Sequence, residues 1–285
     1  MTVARPTAPI VGERREPLAS RPHFADVLAA EWIKLRSLRS TWIAHGATAL
    51  AVLAINVGTA YDTYAHWGER SADGRAAYVR DGLPLQVAFT ANAALVMMLA
   101  LGALGAVALL GEYSTGTIRT TFAAVPARGS VLAAKTVVVA AVATVFGAGV
   151  AGASFAWTQA VLGGRGAGMS IGDPGALRLV LASALLAPLC AMTGLAAAAL
   201  VRRTSATLIA VVVLVLVLPV ALTDGRRWSA VAGHATLFQA WSRLTDAGAS
   251  GTGFPWTTGG AWTVYGAWGI LAGLLVVAAG RRGDV

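Results

Sequence analysis

The chain has 285 residues, 56% of them apolar and only 12% charged, against roughly a quarter charged in a soluble domain. That balance excludes an ordinary water-soluble globular domain. The formal net charge of +9 does not mark a nucleic-acid binder, because the basic residues flank long uncharged runs instead of forming a patch.

Residues 1–22 are rich in Pro and Arg and read as a disordered arm. They hold no isolated apolar core before a cleavage site, so the first span is expected to act as its own uncleaved signal. Phe24–Leu38 follows Pro22 as an amphipathic helix, with Phe24, Val27, Leu28, Leu35 and Leu38 on one face and Trp32 at its edge. Asp26, Lys34 and Arg36 lie off that stripe, which suits a helix lying in the membrane interface. Glu31 breaks the pattern, since it falls between Leu35 and Leu38 on the apolar stripe. A carboxylate there needs a partner, water or a proton of its own. An exposed pair with Lys34 at i+3 would contribute only about 0.3–0.5 kcal/mol. The expected partner is therefore Arg119, Arg128 or Arg202, unless the helix rotates Glu31 out to the headgroups.

Six uncharged runs come next: Ser40–Tyr61, Gly82–Gly111, Thr136–Gly164, Leu179–Val201, Thr204–Thr223 and Ala247–Gly280. Each reaches the roughly 20 residues that a helix needs to cross a hydrocarbon core. The fold class is therefore all-α integral membrane: six transmembrane helices, an N-terminal interfacial helix and a short helix between the second and third spans. Residues 1–40 are expected to form the cytosolic arm and interfacial helix, and 41–285 the six-helix transmembrane domain. Gly102 and Gly105, Gly147 and Ala151, and Gly266, Gly269 and Gly273 are expected to let helix backbones approach. Trp228, Trp241, Trp256 and Trp262 suit an interfacial belt. Arg202 and Arg203 alone join spans four and five, which makes that pair a tight hairpin. An even number of spans leaves both termini on one side. Placing them in the cytosol gives that side 14 basic residues against 8, or 10 against 8 when Arg5, Arg14, Arg15 and Arg21 are set aside as distant.

Catalytic and metal patterns are weak. Gly168–Gly172 fits G-x-S-x-G but lies in a loop, without the strand–turn–helix that motif needs. Gly248-Ala249-Ser250-Gly251 resembles the G-x-S-G of rhomboid-type intramembrane proteases, yet no His follows Ser250. His23, His45, His66 and His234 are isolated, and Cys190 is the only cysteine. Catalytic, metal and cofactor sites are therefore expected to be absent. Lys34 and Lys135 are the only lysines, and neither follows a glycine-rich phosphate loop. No Asp, Glu, Lys or Arg falls inside the six runs, which argues against an ion-coupled carrier.

The stretch Gly111–Lys135 carries the most information. Gly116 permits a sharp turn, and Ile118, Phe122 and Val125 then recur at helical spacing until Pro126. That apolar face could pack on its own bundle or enter a groove on a partner. Glu112, then Gly116-Thr117-Ile118, Pro126, Arg128 and Lys135 resemble the cytosolic loop of type-2 (exporter-type) ABC transporter permeases. Glu31-Trp32-Ile33-Lys34-Leu35-Arg36-Ser37 is similar to the interfacial helix of the same family. The resemblance implies a multi-pass protein of the cell membrane with both termini cytoplasmic, paired with a second permease protomer as homo- or heterodimer. It implies a separate ABC ATPase subunit docking on a coupling helix, here Gly116–Phe122, with Glu112, Gly116, Thr117, Ile118, Arg119 and Phe122 as its coupling residues. Glu31, Trp32, Lys34 and Arg36 would belong to the interfacial helix. The family's last outer loop often holds two short re-entrant helices, and Ser229–Thr245 is a candidate for one. The other reading is a non-transporting membrane accessory or sensor protein, which no ATPase subunit would accompany.

Overall fold

In hydrocarbon a backbone must satisfy its own polar groups, and a long apolar run does so as an α-helix. The computed structural model describes residues 23–125, 127–222, 226–246, 254 and 256–281. Within them, six helices are long and apolar enough to span a membrane. The N-terminal arm, Pro126 and the Gly248–Gly251 motif lie outside the described residues.

The chain opens with α1, Phe24–Ser37, and turns at Leu38 into α2, Arg39–Ala65, the first span. A 3-10 turn, His66–Glu69, and α3, Ala72–Arg80, cross the far face. The second span is broken, with α4, Leu83–Ala88, separated by Phe89 and Thr90 from α5, Ala91–Thr115. Then come α6, Thr117–Ala124, and the third span α7, Arg128–Gly163. The fourth span is α8, Ala176–Val201. The fifth consists of α9, Thr204–Val212, a π turn at Val213–Val217 and α10, Leu218–Ala221. Pro219, which lacks an N–H, lies two residues beyond the end of the π turn, the kind of local widening that absorbs such a residue. On the far face α11, Arg227–His234, and α12, Leu237–Thr245, precede the sixth span α13, Thr258–Arg281. The connection before the last span thus holds two short helices. Arg202 and Arg203 join α8 to α9, with Arg202 in the left-handed region at φ 56.

The fourth span is the hub. It packs on α5, α7 and α13, and 72% of its apolar window is buried, against 22% for the first and fifth spans. Small residues allow this. A Cβ on Gly105 would overlap the Ala191 carbonyl, and one on Gly194 would overlap the Gly102 carbonyl. Gly147 of α7 meets the Ala184 backbone in the same way. The glycines of the sixth span do not: Gly266 faces open space, and Gly269 and Gly273 meet only the side chains of Leu189 and Met192. The tryptophan belt also needs one correction. Trp241 is buried and donates to Ser183 Oγ at 3.0 Å.

The break in the second span is held by neutral groups, as suits a depth where charge is costly. Asn56 of α2 is fully buried, and its Oδ1 accepts from both Thr90 N and Thr90 Oγ1 at 2.9 Å. Its Nδ2 donates to Ser154 Oγ at 2.8 Å, and Ser154 donates to the Ala88 carbonyl at 2.6 Å. Gln159 donates to the Pro84 carbonyl and accepts from Met169 N, each at 2.9 Å.

The backbone contact between α5 and α8 yields a prediction. Gly105→Ala and Gly194→Ala should each destabilise the purified protein by about 1–3 kcal/mol, the range for overpacking. Gly149→Ala, where nothing lies within 4 Å of a Cβ, should leave it unchanged or slightly more stable. Thermal denaturation in detergent measures all three.

Candidate functional site: a buried charge ring

At the face where both described ends lie, a helix two turns longer than its span decides the site. The third span was expected to begin at Thr136, but its helix starts at Arg128, so Lys135 sits two turns inside α7. There it faces α1, whose packed face is Val27, Leu28, Glu31, Lys34 and Leu35, while Phe24 and Leu38 are exposed. Glu31 is 3% exposed.

Four side chains close a ring of alternating charge. Lys34 donates to Glu31 Oε1 at 2.7 Å, and Lys135 donates to Glu31 Oε2. Lys135 also donates to Glu112 Oε1 at 2.9 Å, and Lys34 reaches the same oxygen at 3.2 Å. A third bond from Lys34 goes to Thr121 Oγ1 at 3.3 Å. An ammonium has three donors and no acceptor, so Lys34 uses all of its hydrogen-bonding capacity on Glu31, Glu112 and Thr121. Both lysines of the chain are in this ring. The partner expected for Glu31 was Arg119, Arg128 or Arg202; it is instead Lys135, together with Lys34.

Electrostatics set the terms of this arrangement. Burying Lys34 disfavours its charge, but the hydrogen bonds and fields of Glu31 and Glu112 outweigh that and hold its pKa above the ordinary 10.5. A raised amine pKa means that the pairing is fully stabilising below pH 10.5 and is lost as the pH climbs past the folded-state value. Breaking a buried pair strands a charge and costs about 3–5 kcal/mol, although forming one contributes little net stability. The ring is therefore chiefly a constraint on geometry. It ties α1, the end of α5, the start of α7 and, through Thr121, helix α6 to one point. The four ring residues, with Leu35, Leu38, Val107 and Val139, line a cavity of about 340 Å³, and Glu112 Oε2 is buried with no hydrogen-bond partner.

Helix α6 begins at Gly116, whose φ of +73 is the left-handed conformation that glycine adopts without strain. The chain thereby turns sharply from α5 into α6. Ile118 is 1% exposed and lies in a cluster to which α5, α7, α8 and α13 all contribute. Phe122 is half-buried against that cluster and against Val27, Val131 and Ala134, with the Arg128 guanidinium 5.4 Å from its ring centre. Of the two destinations open to this apolar face, the structure has it packed on the chain's own bundle. Ile118 and Phe122 hold the helix in place, while Thr117, Arg119, Thr120, Ala123 and Ala124 are exposed. Trp32 and Arg36 are likewise exposed and take no part in the ring. No group of three or more His, Cys, Asp or Glu side chains among the described residues could hold a metal ion.

Comparison with known proteins adds one finding. A family model described as "ABC-2 family transporter protein" matches residues 27–223, well over half of the chain. None of the curated proteins matches.

The ring predicts a charge-swap result. Lys135→Glu and Glu31→Lys should each lower thermal stability strongly, by about 3–5 kcal/mol. The double variant should recover more than additivity allows, with a coupling of about 0.5–3 kcal/mol. Additive losses would mean that the two side chains act independently.

Proposed function

Because this chain belongs to the ABC-2 transporter family, we propose that it is the path-forming subunit of an ATP-driven exporter, which docks a separate ATPase through α6 and works as a pair of permease protomers. The chain is a multi-pass membrane protein and a transporter permease. In the proposed orientation the face carrying α1, α6 and both described ends is cytosolic, in agreement with its excess of basic residues.

The observation that best supports ATPase docking is the way α6 is mounted. A helix meant to transmit force must be rigidly joined to what it moves and must still offer a face to its partner. Its buried side, Ile118, enters a cluster shared by four spans, and Thr121 joins the charge ring. Its outer side offers Arg119 with the small residues Thr117, Thr120 and Ala123. Closure of the ATPase pair on ATP would push on this outer side. The displacement would pass through Ile118 to α5, α7, α8 and α13, and through the ring to α1. Glu112 and Gly116 fix where α6 leaves α5, and Thr117 opens the exposed face. Interfacial Trp32 and Arg36 would hold α1 at the level of the headgroups.

Three measurements check this reading. Arg119→Glu should sharply reduce co-purification of the ATPase subunit and leave thermal stability unchanged. Ile118→Ala should cost about 2–5 kcal/mol of stability, because it opens a cavity in the bundle. Full ATPase capture by Arg119→Glu would contradict docking on this face. For orientation, single cysteines at Ser114 and Ala76 in a Cys190→Ala background should label oppositely with a membrane-impermeant thiol reagent, Ala76→Cys from outside.

A further inference from the structure

Near the interfacial helix, a groove of about 550 Å³ opens between α1, α2 and α7. Its volume is in the range of small-molecule sites. Trp32 of α1, Trp42 and Gly46 of α2, and Val142 and Phe146 of α7 line it, together with His45. No Asp, Glu, Lys or Arg lines it. Gly46 leaves the floor open, since nothing lies within 4 Å of where its Cβ would stand. Trp42 spends its indole N–H on the Arg36 carbonyl at 3.3 Å.

His45 interrupts this apolar lining. It is 9% exposed, and its ring centre lies 5.1 Å from that of Phe146 and 6.0 Å from that of Trp42. Its Nδ1 donates to the Thr41 carbonyl at 2.8 Å, because a carbonyl oxygen can only accept. In the neutral ring Nε2 is then a bare acceptor. Among the described residues Nε2 has no hydrogen-bond partner, yet it is not one of the polar atoms sealed off without one. It therefore keeps surface toward the cavities that His45 lines. Behind the ring is a void of about 20 Å³, room for one water, with Thr41 as its other polar side chain. The depth of His45 says what else could satisfy Nε2. It lies six residues beyond Arg39, about 9 Å along α2, at the inner edge of the interface. Phospholipids present ester oxygens at that depth, which accept hydrogen bonds but donate none. Bulk lipid would fill the groove and leave Nε2 unpaired, at the cost that attends any unmatched polar atom.

From these features we infer that the groove binds a neutral lipid whose head is a free hydroxyl. The hydroxyl donates to His45 Nε2, and the hydrocarbon lies over Gly46 against Trp32, Trp42 and Phe146. Absence of charged side chains from the lining favours a neutral head over a phosphate or an ammonium. Because α1 forms one wall, the bound lipid touches the helix that the charge ring ties to α6. Its influence on ATPase coupling therefore rests on the transport reading. The binding itself does not, and it needs no ATPase.

The test uses the full chain in nanodiscs of phosphatidylcholine and a diacylglycerol that carries a photoreactive diazirine in one acyl chain. Peptides of α2 and α7 should be labelled saturably. Excess dioleoylglycerol should displace the label, and its acetyl ester, in which the hydroxyl is capped, should not. His45→Phe keeps an aromatic ring but removes the acceptor, and should weaken displaceable labelling about three- to tenfold, as for one hydrogen bond. Gly46→Leu fills the groove without meeting another group at its Cβ and should abolish that labelling, which keeps the inference testable if His45→Phe does not fold. Equal displacement by the acetyl ester overturns the inference, as does labelling that both variants leave unchanged, the result expected if Nε2 holds only a water. No displaceable labelling at all, as when bulk acyl chains or a second protomer occupy the groove, also overturns it. Docking of the ATPase on α6 would stand after such a failure.

Discussion

Two ammonium groups and two carboxylates sit beneath a bundle whose interior carries no other charge pair of this kind among the described residues. Alone, each of the four would be driven into water or neutralised. Together they must meet within hydrogen-bond distance, and that requirement places four backbone segments. It sets the rotation of α1, which turns Glu31 inward and leaves Phe24 half-exposed. It requires α7 to extend beyond its apolar run so that Lys135 can reach α1. It also holds Thr121, and with it α6, against the end of α5. The net stability of such a ring is small, so its consequence is registry: the helices cannot slide without stranding a charge.

The opposite end of the same helix is held by different chemistry. Helix α5 starts at Thr90, fixed by Asn56, and reaches Glu112 in the ring. At 1.5 Å per residue its 25 residues make a rod of roughly 37 Å. Neutral amides and hydroxyls secure the end nearer the apolar depth, and full charges secure the end that water can reach. One rigid element thereby joins the far face to helix α6. The close contact of Gly105 and Gly194 with facing carbonyls packs α8 directly on its backbone. In a transporter permease, such a rod is the simplest link between a push on α6 and a change at the far face.

The spans were legible because hydropathy over 20 residues is a local signal, and each of the six runs holds a helix long and apolar enough to cross a membrane, the last beginning only at Thr258. The interfacial helix and the short helix after Gly116 were legible from periodicity and from one glycine. The demand for a partner at Glu31 could also be read from the helical wheel, but its identity could not. Lys135 lies 104 residues away and resembled any basic residue flanking a span. Lys34 was discounted because an i, i+3 pair is weak in water; it acts here in a buried network instead. The arginines that seemed better placed point elsewhere, Arg128 over Phe122 and Arg202 toward Tyr113. The break at Phe89 and Thr90 left no trace in hydropathy, because its stabilisers, Asn56 and Ser154, are on other spans. Ile118 shows the opposite limit: periodicity identified its apolar face but could not say whether the face meets a partner or its own bundle.

The central claim is that α6 and α1 move as one body because the ring joins them. Spin labels at Thr120→Cys on α6 and Ala30→Cys on α1, in a Cys190→Ala background, measure this directly by pulsed electron resonance with the ATPase partner bound. The account predicts a single narrow distance that is unchanged between the nucleotide-free and ATP-bound states, and that broadens when Lys135→Met opens the ring. A shift of several ångströms between α6 and α1 on ATP binding, with the ring intact, would contradict it.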